Sequence, residues 1–541
     1  MEYKSRFKIL KGGKVALVVS ALLVGSSTFA ATQEVSTALT SQYTIADGDG
    51  LEVTINGSIS ETSDHAVENA DTVTSIINKG TITTSAGGYD AIHIDGTVSG
   101  SIINDGTISQ TTNNNDDNES GIEINEGYIH GSIINNGTII SNSDNGIAVW
   151  GDDDDNQSDN LGVVLGGIIN NGTITAYNEG LDIDDNARIE NGITNNGTII
   201  GTNDDAIEID EESIVNGGIL NNSGAIIESL ASDAIAIQEN SEVNGGITNN
   251  GTIQAVKNAI YVDNKSVINN GILNNNAGII KSFSTSAIET TDSVINGGIT
   301  NQGTITAQKK GVFIDEDSEI DFIKNENLID VSSSSNNTYG VRIDTTDFTE
   351  INNKSTGIIK STTSDDDDAY GLYFDGVEDF VEIKNAGTIS ASAYEGLAYG
   401  LKTNDDTDAI ITNTGTISAL STDNYSHGIY IDGDFNTGSQ INNDGKIIAT
   451  YAQSDLTSTN PQYLDKDAYS LYINRANGII NNNVNGKMYG NIYIGYDLAS
   501  GFDSTFNNYG LIRLPENANA GDSAYISTYL NKSSGTLEIS L

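Results

Sequence analysis

Residues 191–229 read NGITNNGTIIGTNDDAIEIDEESIVNGGILNNSGAIIES, and this stretch decides the fold. It holds three short apolar runs: the Thr-Ile of TNNGTI (194–199), the alternating AIEID (206–210), and VNGGIL (215–220), which leads into the next Asn-rich corner. Each run is three to five residues long, is rich in β-branched residues at period two, and is bounded by Gly, Asn or Asp. That is the signature of strands and not of helices.

The same unit recurs along the chain. Copies of apolar-x-Asn-x-Gly-Thr-Ile include INKGTI (77–82), INDGTI (103–108), INNGTI (134–139 and 169–174), TNNGTI (248–253), TNQGTI (300–305), KNAGTI (384–389) and TNTGTI (412–417). Looser copies are IKNENLI (323–329), INNDGKI (441–447) and LNKSSGTL (530–537). Successive glycines are mostly 24 to 31 residues apart, with longer steps of 35 and 41. Three strands and three turns in about 27 residues cannot bury their own apolar side, so each unit must stack on its neighbours. The expectation is an all-β fold, a right-handed parallel β-helix (solenoid) of about 17 rungs of three short strands, roughly 80 Å long at the usual spacing between strands. A β-propeller needs about 40 residues and four strands per blade, and tandem sandwiches need longer strands and aromatic cores; neither matches the repeat.

Alternation assigns the faces. In the second run Ile92 and Ile94, Ile207 and Ile209, or Ile429 and Ile431 should point inward, with His93, Glu208 and Tyr430 outward. Asn and Gly suit the corner because both tolerate left-handed backbone angles, and stacked Asn amides can hydrogen-bond from rung to rung.

Composition narrows the function. The chain of 541 residues carries 24 basic against 75 acidic side chains, net −51, with 58 Gly, 2 Pro and no Cys. So negative a chain is not a general binder of nucleic acid or anionic membranes, both of which call for a basic surface. The absence of Cys rules out disulfides and thiolate metal sites. Lys4, Arg6, Lys8, Lys11 and Lys14 precede an apolar run from Val15 to Val24 and small residues ending in Thr28-Phe29-Ala30. This is the pattern of a secretory signal peptide with cleavage after Ala30, and the apolar run is too short to span a bilayer. The predicted organisation is a signal peptide at 1–30, β-helix repeats at 31–500, and C-terminal rungs or a cap at 501–541.

A signal peptide, a Cys-free Gly- and Asn-rich chain and stacked NNGTI-type repeats together resemble the passenger region of bacterial autotransporters, the type V secreted proteins of Gram-negative bacteria. The resemblance covers residues 31 to 541. It implies an exported β-helix at the cell surface, outer membrane or outside the cell, acting as an adhesin or other host-contact or biofilm factor. Tyr509 to Leu541 resembles the rungs that precede a membrane β-barrel in such proteins. No barrel-type strands follow Leu541, so attachment through an absent or separate barrel is expected. The implied partners are glycans or proteins of a host or bacterial surface.

Function on a repeat scaffold lies where the repeat varies. Acidic insertions at Asp152, Asp153, Asp154 and Asp155, and at Asp365, Asp366, Asp367 and Asp368, are candidates for Ca2+, a hard ion that takes several carboxylate oxygens. No other cofactor is expected, and solvated loops are the plainer reading. Asp95, Asp184, Asp210, Asp263, Asp315, Asp344, Asp375 and Asp432 recur at the end of the second run, where Asx-turn bonds to the backbone would hold them. The outward position of that run changes from His93, Glu123, Asp182 and Glu208 to Phe313, Arg342, Tyr373, Lys402, Tyr430, Tyr472 and Tyr493. The later set is a candidate binding strip for sugars or a protein partner, against the alternative of stacking that only stabilises the sheet. Four histidines, His65, His93, His130 and His427, show no metal-ligand spacing, and no nucleophile elbow or phosphate loop occurs. The expectation is an adhesion or contact module and not an enzyme. A polysaccharide-active lyase or hydrolase and a structural surface-layer or biofilm-matrix protein are the alternatives.

Overall fold

The computed structural model describes residues 31–541 apart from 113–118, 153–161, 346, 377–379, 452–467, 496–503, 515–527, 532–534 and 540–541. The proposed signal segment therefore lies outside the described residues. Every described strand pairs in parallel with the equivalent strand of the next repeat, building three sheets along a β-solenoid. One sheet is made of the Thr-Ile runs, such as Thr81–Thr84 and Thr198–Gly201. A second, of 17 strands, is made of the alternating runs, such as Ile92–Ile94 and Ala369–Phe374. The third is made of the runs that enter the Asn-Gly corner. Among the described residues no helix occurs.

The third run differs from the single strand expected. From Thr72–Val73 and Ile76–Asn78 to Val294–Ile295 and Ile299–Asn301 it is two short strands, and it becomes one continuous strand only at Glu319–Asn325. The division falls on different residues in different repeats, Thr74-Ser75 in the first and Asn-Gly-Gly in VNGGIL and VNGGIT. Gly218 and Gly246 take positive φ of 74° and 73°, which turns the chain and divides the ladder.

The core is a column of isoleucines and valines shared by all three sheets. Ile92, Ile94, Ile207, Ile209, Ile429 and Ile431 are fully buried, as alternation predicts. Beside them the motif Asn forms an unbroken side-chain ladder from Asn78 to Asn508. Asn78 Nδ2 donates to Asn104 Oδ1 at 2.8 Å, Asn104 to Asn135 at 2.8 Å, Asn221 to Asn249 at 2.9 Å, and Asn482 to Asn508 at 2.8 Å. Each amide also donates to a backbone carbonyl of the following repeat, and many accept from their own Gly N–H, as Asn78 does from Gly80. A buried amide with all its partners costs nothing in lost hydration and fixes the register of neighbouring rungs.

The motif glycine answers to a different demand. A Cβ on Gly172 would lie 2.0 Å from the carbonyl oxygen of Gly137 one rung away. Only hydrogen fits between coils stacked this closely. Gly172→Ala is expected to destabilise these rungs by several kcal/mol, on the order of 3. The check is a lower denaturation midpoint with faster hydrogen exchange across Thr138–Ser141 and Thr173–Ala176.

Candidate functional site

The outward positions of the second sheet form one file along the solenoid axis. Register pairing runs from Glu68 through His93, Glu123, Ala148, Asp182, Glu208, Ala236, Tyr261 and Glu289. It continues through Phe313, Arg342, Tyr373, Lys402, Tyr430, Tyr472 and Tyr493. All seven residues of the candidate binding strip therefore stand in one column.

A second column runs three residues earlier on the same strands, through Tyr339, Tyr370, Tyr399, His427 and Tyr469. Sequence reasoning missed it, because three residues do not keep the alternation of a strand. The glycine after the aromatic makes room for the break. Cβ atoms on Gly340, Gly371 and Gly400 would lie 2.5 to 2.8 Å from the Cγ2 of Ile359, Ile389 and Ile417. The recurring Tyr-Gly of YGVRI (339–343), YGLYF (370–374) and YGLKT (399–403) was the signal that could have revealed it.

The rings lie flat upon one another. Tyr339 and Tyr370 stack at 4.7 Å between centroids, Tyr370 and Tyr399 at 5.1 Å, Tyr399 and His427 at 5.1 Å, and His427 and Tyr469 at 5.5 Å. In the other column Tyr430 stacks on Tyr472 at 4.8 Å, and Tyr472 on Tyr493 at 4.5 Å. Neighbouring rings thus cover one another's faces, and a ligand would meet ring edges, hydroxyls and charges. Phe313 and Tyr373 are buried, whereas Arg342, Lys402, Tyr430, Tyr472 and Tyr493 are half-buried.

Cations are held within this aromatic surface. Lys402 Nζ lies 5.1 to 5.8 Å from the ring centres of Tyr399, Tyr373, Tyr370 and Tyr430. Arg342 lies 5.1 to 5.4 Å from those of Phe313, Tyr339 and Tyr373, and Lys310 lies 3.3 Å above Phe313. Burial pulls the Lys402 and Lys310 ammonium pKa values down, and the ring quadrupoles attract the charge that remains. Burial, followed by the Lys402 charge, pushes His427 down to about 3, so this imidazole is neutral at physiological pH.

The recurring aspartates fasten the strip and the turns. Asp184, Asp210 and Asp263 each accept from the next backbone N–H at 2.7 to 2.8 Å, one residue on and not the two residues of the expected Asx-turn. Tyr261, Tyr373 and Tyr430 donate their hydroxyls to Asp263, Asp375 and Asp432 two residues on, at 2.8 to 3.1 Å.

Between Glu179 and Asp233 the same two columns are acidic. Glu179, Asp182, Asp205 and Asp233 are buried, and Glu208 is half-buried beside them. Asn145 Nδ2 and Trp150 Nε1 donate to Asp182 at 2.7 and 2.5 Å, and Gln238 Nε2 donates to Glu208 at 2.9 Å. Burial first, then mutual repulsion, raises Glu179 to about 9, Glu208 to about 10 and Asp205 to about 7.

Of the acidic runs singled out for Ca2+, Asp365 to Asp368 are not among the close groups of potential ligands that the described residues form. Asp365 and Asp366 are exposed. The Asp368 carboxylate accepts from Tyr370 Oη at 2.9 Å and from the Leu397 N–H at 2.7 Å. Asp152 is half-buried, and Asp153, Asp154 and Asp155 lie outside the described residues. Close groups of potential ligands occur elsewhere among the described residues, at His65, Asp90 and His93 and at Asp184, Asp185 and Glu211. Comparison of the chain with protein families, with characterised proteins and with solved structures finds no match.

Proposed function

We propose that the chain is an exported, surface-exposed β-solenoid that acts as an adhesion or contact module, its binding surface being the aromatic and basic strip of the second sheet. The observation that carries this reading is the clustering of Lys310, Arg342 and Lys402 among stacked tyrosines on a chain of net charge −51. Tyr and Arg are enriched where proteins meet partners, because they offer large contact area and directed hydrogen bonds together. Ring edges, Tyr hydroxyls and Asp375 and Asp432 suit a ligand rich in hydroxyl groups or a polar protein surface. The likeness of the repeats to autotransporter passengers supports export to the cell surface in a Gram-negative bacterium.

Adhesion of cells displaying the chain is the test. Tyr430→Ser with Tyr472→Ser, and separately Lys402→Gln, should reduce adhesion tenfold or more while the β circular-dichroism signal is retained. A hot-spot residue is worth about 2 kcal/mol or more, which exceeds that factor. Adhesion equal to that of the unaltered chain in both variants would discard the strip as the contact surface.

A further inference from the structure

Near the N-terminal end of the second sheet, the ligand atoms of His65, Asp90 and His93 gather beneath the surface, with Glu123 of the next rung against His93. His93 Nδ1 lies 2.9 Å from Asp90 Oδ2 and 3.3 Å from Glu123 Oε1, and His65 Nδ1 lies 3.3 Å from the same Asp90 oxygen. Asp90 and Glu123 are buried, and the two imidazoles retain only 13% and 16% side-chain exposure. We infer that His65, Asp90, His93 and Glu123 form a binding site for a divalent transition-metal ion, with Zn2+ the best fit.

Three features carry the assignment. The first is spacing. Zn2+ bonds to N and O ligands are about 2.0 to 2.2 Å, which puts the ligand atoms of a tetrahedron roughly 3.3 Å apart. The His93–Asp90 and His65–Asp90 separations of 2.9 and 3.3 Å are near that edge, and Glu123, 3.3 Å from His93 Nδ1, would take the fourth position by turning its side chain towards His65 and Asp90.

The second is the outer shell. His93 Nε2 faces Asp95 Oδ1 at 2.9 Å, so the ring can donate its Nε2–H to a carboxylate while Nδ1 faces the cluster. A metal-bound histidine almost always hands its other N–H to such a partner, which fixes the tautomer and the ring angle. The Ser120 N–H donates to Asp90 Oδ1 at 2.6 Å, leaving Oδ2 for the ion. Stacking on His93 at 4.2 Å and edge contact with Tyr89 at 5.0 Å hold the His65 ring. His65 Nδ1 also accepts from the Asp90 N–H at 2.9 Å, a bond that it would exchange for the metal.

The third is charge. Two neutral imidazoles and two carboxylates match one divalent cation, and buried charges are tolerated when paired or bound to metal. Imidazole and carboxylate donors suit Zn2+ better than the harder Ca2+. His93 and Glu123 sit on the paired strands Ile92–Ile94 and Ile122–Asn125, and His65 and Asp90 in the turns that lead into Val67–Asn69 and Ile92–Ile94. The ion would therefore clip adjacent rungs together.

The test uses the full exported chain without a polyhistidine tag, stripped with chelator and titrated with Co2+ and then Zn2+ alone. One equivalent of Co2+ should give visible d–d absorption that Zn2+ abolishes, and Zn2+ should raise the thermal midpoint, since an ion that binds only the folded state stabilises it. His93→Ala should remove the absorption. Glu123→Gln, which keeps the shape of the side chain, should weaken Zn2+ at least about tenfold. Asp184→Asn, at the other acidic group, should change neither. Absence of d–d absorption in the unaltered chain would mean an imidazolium–carboxylate network only and would overturn the site. Co2+ absorption and Zn2+ affinity unchanged in the folded Glu123→Gln chain would overturn it as well, whether or not His93→Ala folds.

Discussion

Acidification from about pH 8.5 to about pH 5 should tighten the rungs around Glu179 to Asp233 and loosen those around His427. The signs follow from linkage. Asp233, Asp205, Glu179 and Glu208 are raised to about 6, 7, 9 and 10, primarily by burial. A carboxyl whose folded pKa lies above its unfolded value gives its full stabilisation below the unfolded pKa and loses it as pH climbs through the folded one. For these groups the loss runs from about pH 4 to about pH 10. Asp205 alone, carried from 3.8 to about 7, weighs about 4 kcal/mol between pH 4 and pH 8. The groups facing these carboxyls are mostly acids, namely Asp144, Asp182, Asp184, Asp204, Asp210 and Glu289, with Lys257 the cation beside Asp233. The uncharged donors that meet the cluster are Asn145, Trp150 and Gln238.

His427 behaves oppositely. Its folded pKa is pushed down from 6.5 to about 3, so its stabilisation is present above pH 6.5 and is lost as the pH falls towards 3. At pH 5 that loss is about 2 kcal/mol. The rings of Tyr399, Tyr425, Tyr430, Tyr469 and Tyr472 surround it, with Lys402 the charge that disfavours its protonation. Opening free energies from hydrogen exchange at the two pH values check both ends of the same chain. Asp205→Asn should reduce the N-terminal response and leave the larger part that Glu179 and Glu208 carry, and His427→Gln should flatten the C-terminal one. Uniform change along the rod would refute the account.

The two ends also show what the sequence made legible. Strands, their inward isoleucines and the Asn ladder followed from the spacing of INNGTI and AIEID, because each position answers to one local demand: period two, a left-handed corner, an amide partner above and below. The break at Gly218 and Gly246 was not visible, since VNGGIL has the residue types of a single run and only the backbone angle divides it. Alternation placed Asp182 and Glu208 on the outward face, but it carries no information about what lies over that face. Trp150 and Asn145 cover Asp182, and both come from a neighbouring rung. The seven residues of the candidate strip could be aligned from the sequence because they share a register position. The stacking that hides the tyrosine ring faces depends on a coil spacing near the separation of offset-stacked rings, which is a property of the assembled sheet.

Replacing Asn249 with Leu should open the rod at its middle. Its amide donates to Asn274 Oδ1 at 2.9 Å and to the Ile279 carbonyl at 3.0 Å, while its oxygen accepts from Asn221 at 2.9 Å and from the Gly251 N–H at 3.1 Å. Leucine shares the branched outline of asparagine, is larger, and serves none of these four partners. Each buried polar group left without a partner costs about 1 to 3 kcal/mol. Some relief comes from Asn221, whose Nδ2 also donates to the Thr252 carbonyl. The net cost is on the order of 5 kcal/mol, comparable to the whole stability of many domains. Asn196 supplies the control. It belongs to an exposed outer ladder, donating to Asn171 and accepting from Asn222, both reachable by water. Asn196→Leu should therefore cost less than about 1 kcal/mol. In a solenoid each coil touches only its neighbours, so the loss at Asn249 should appear as an early denaturation step confined to the adjoining repeats. Hydrogen exchange in Ile219–Asn221 and Ile272–Asn274 should rise with it, while Ile133–Asn135 and Val381–Asn385 keep their protection. Equal effects of the two substitutions would show that the inner ladder is no stronger than the surface one, and that the isoleucine column alone sets the register.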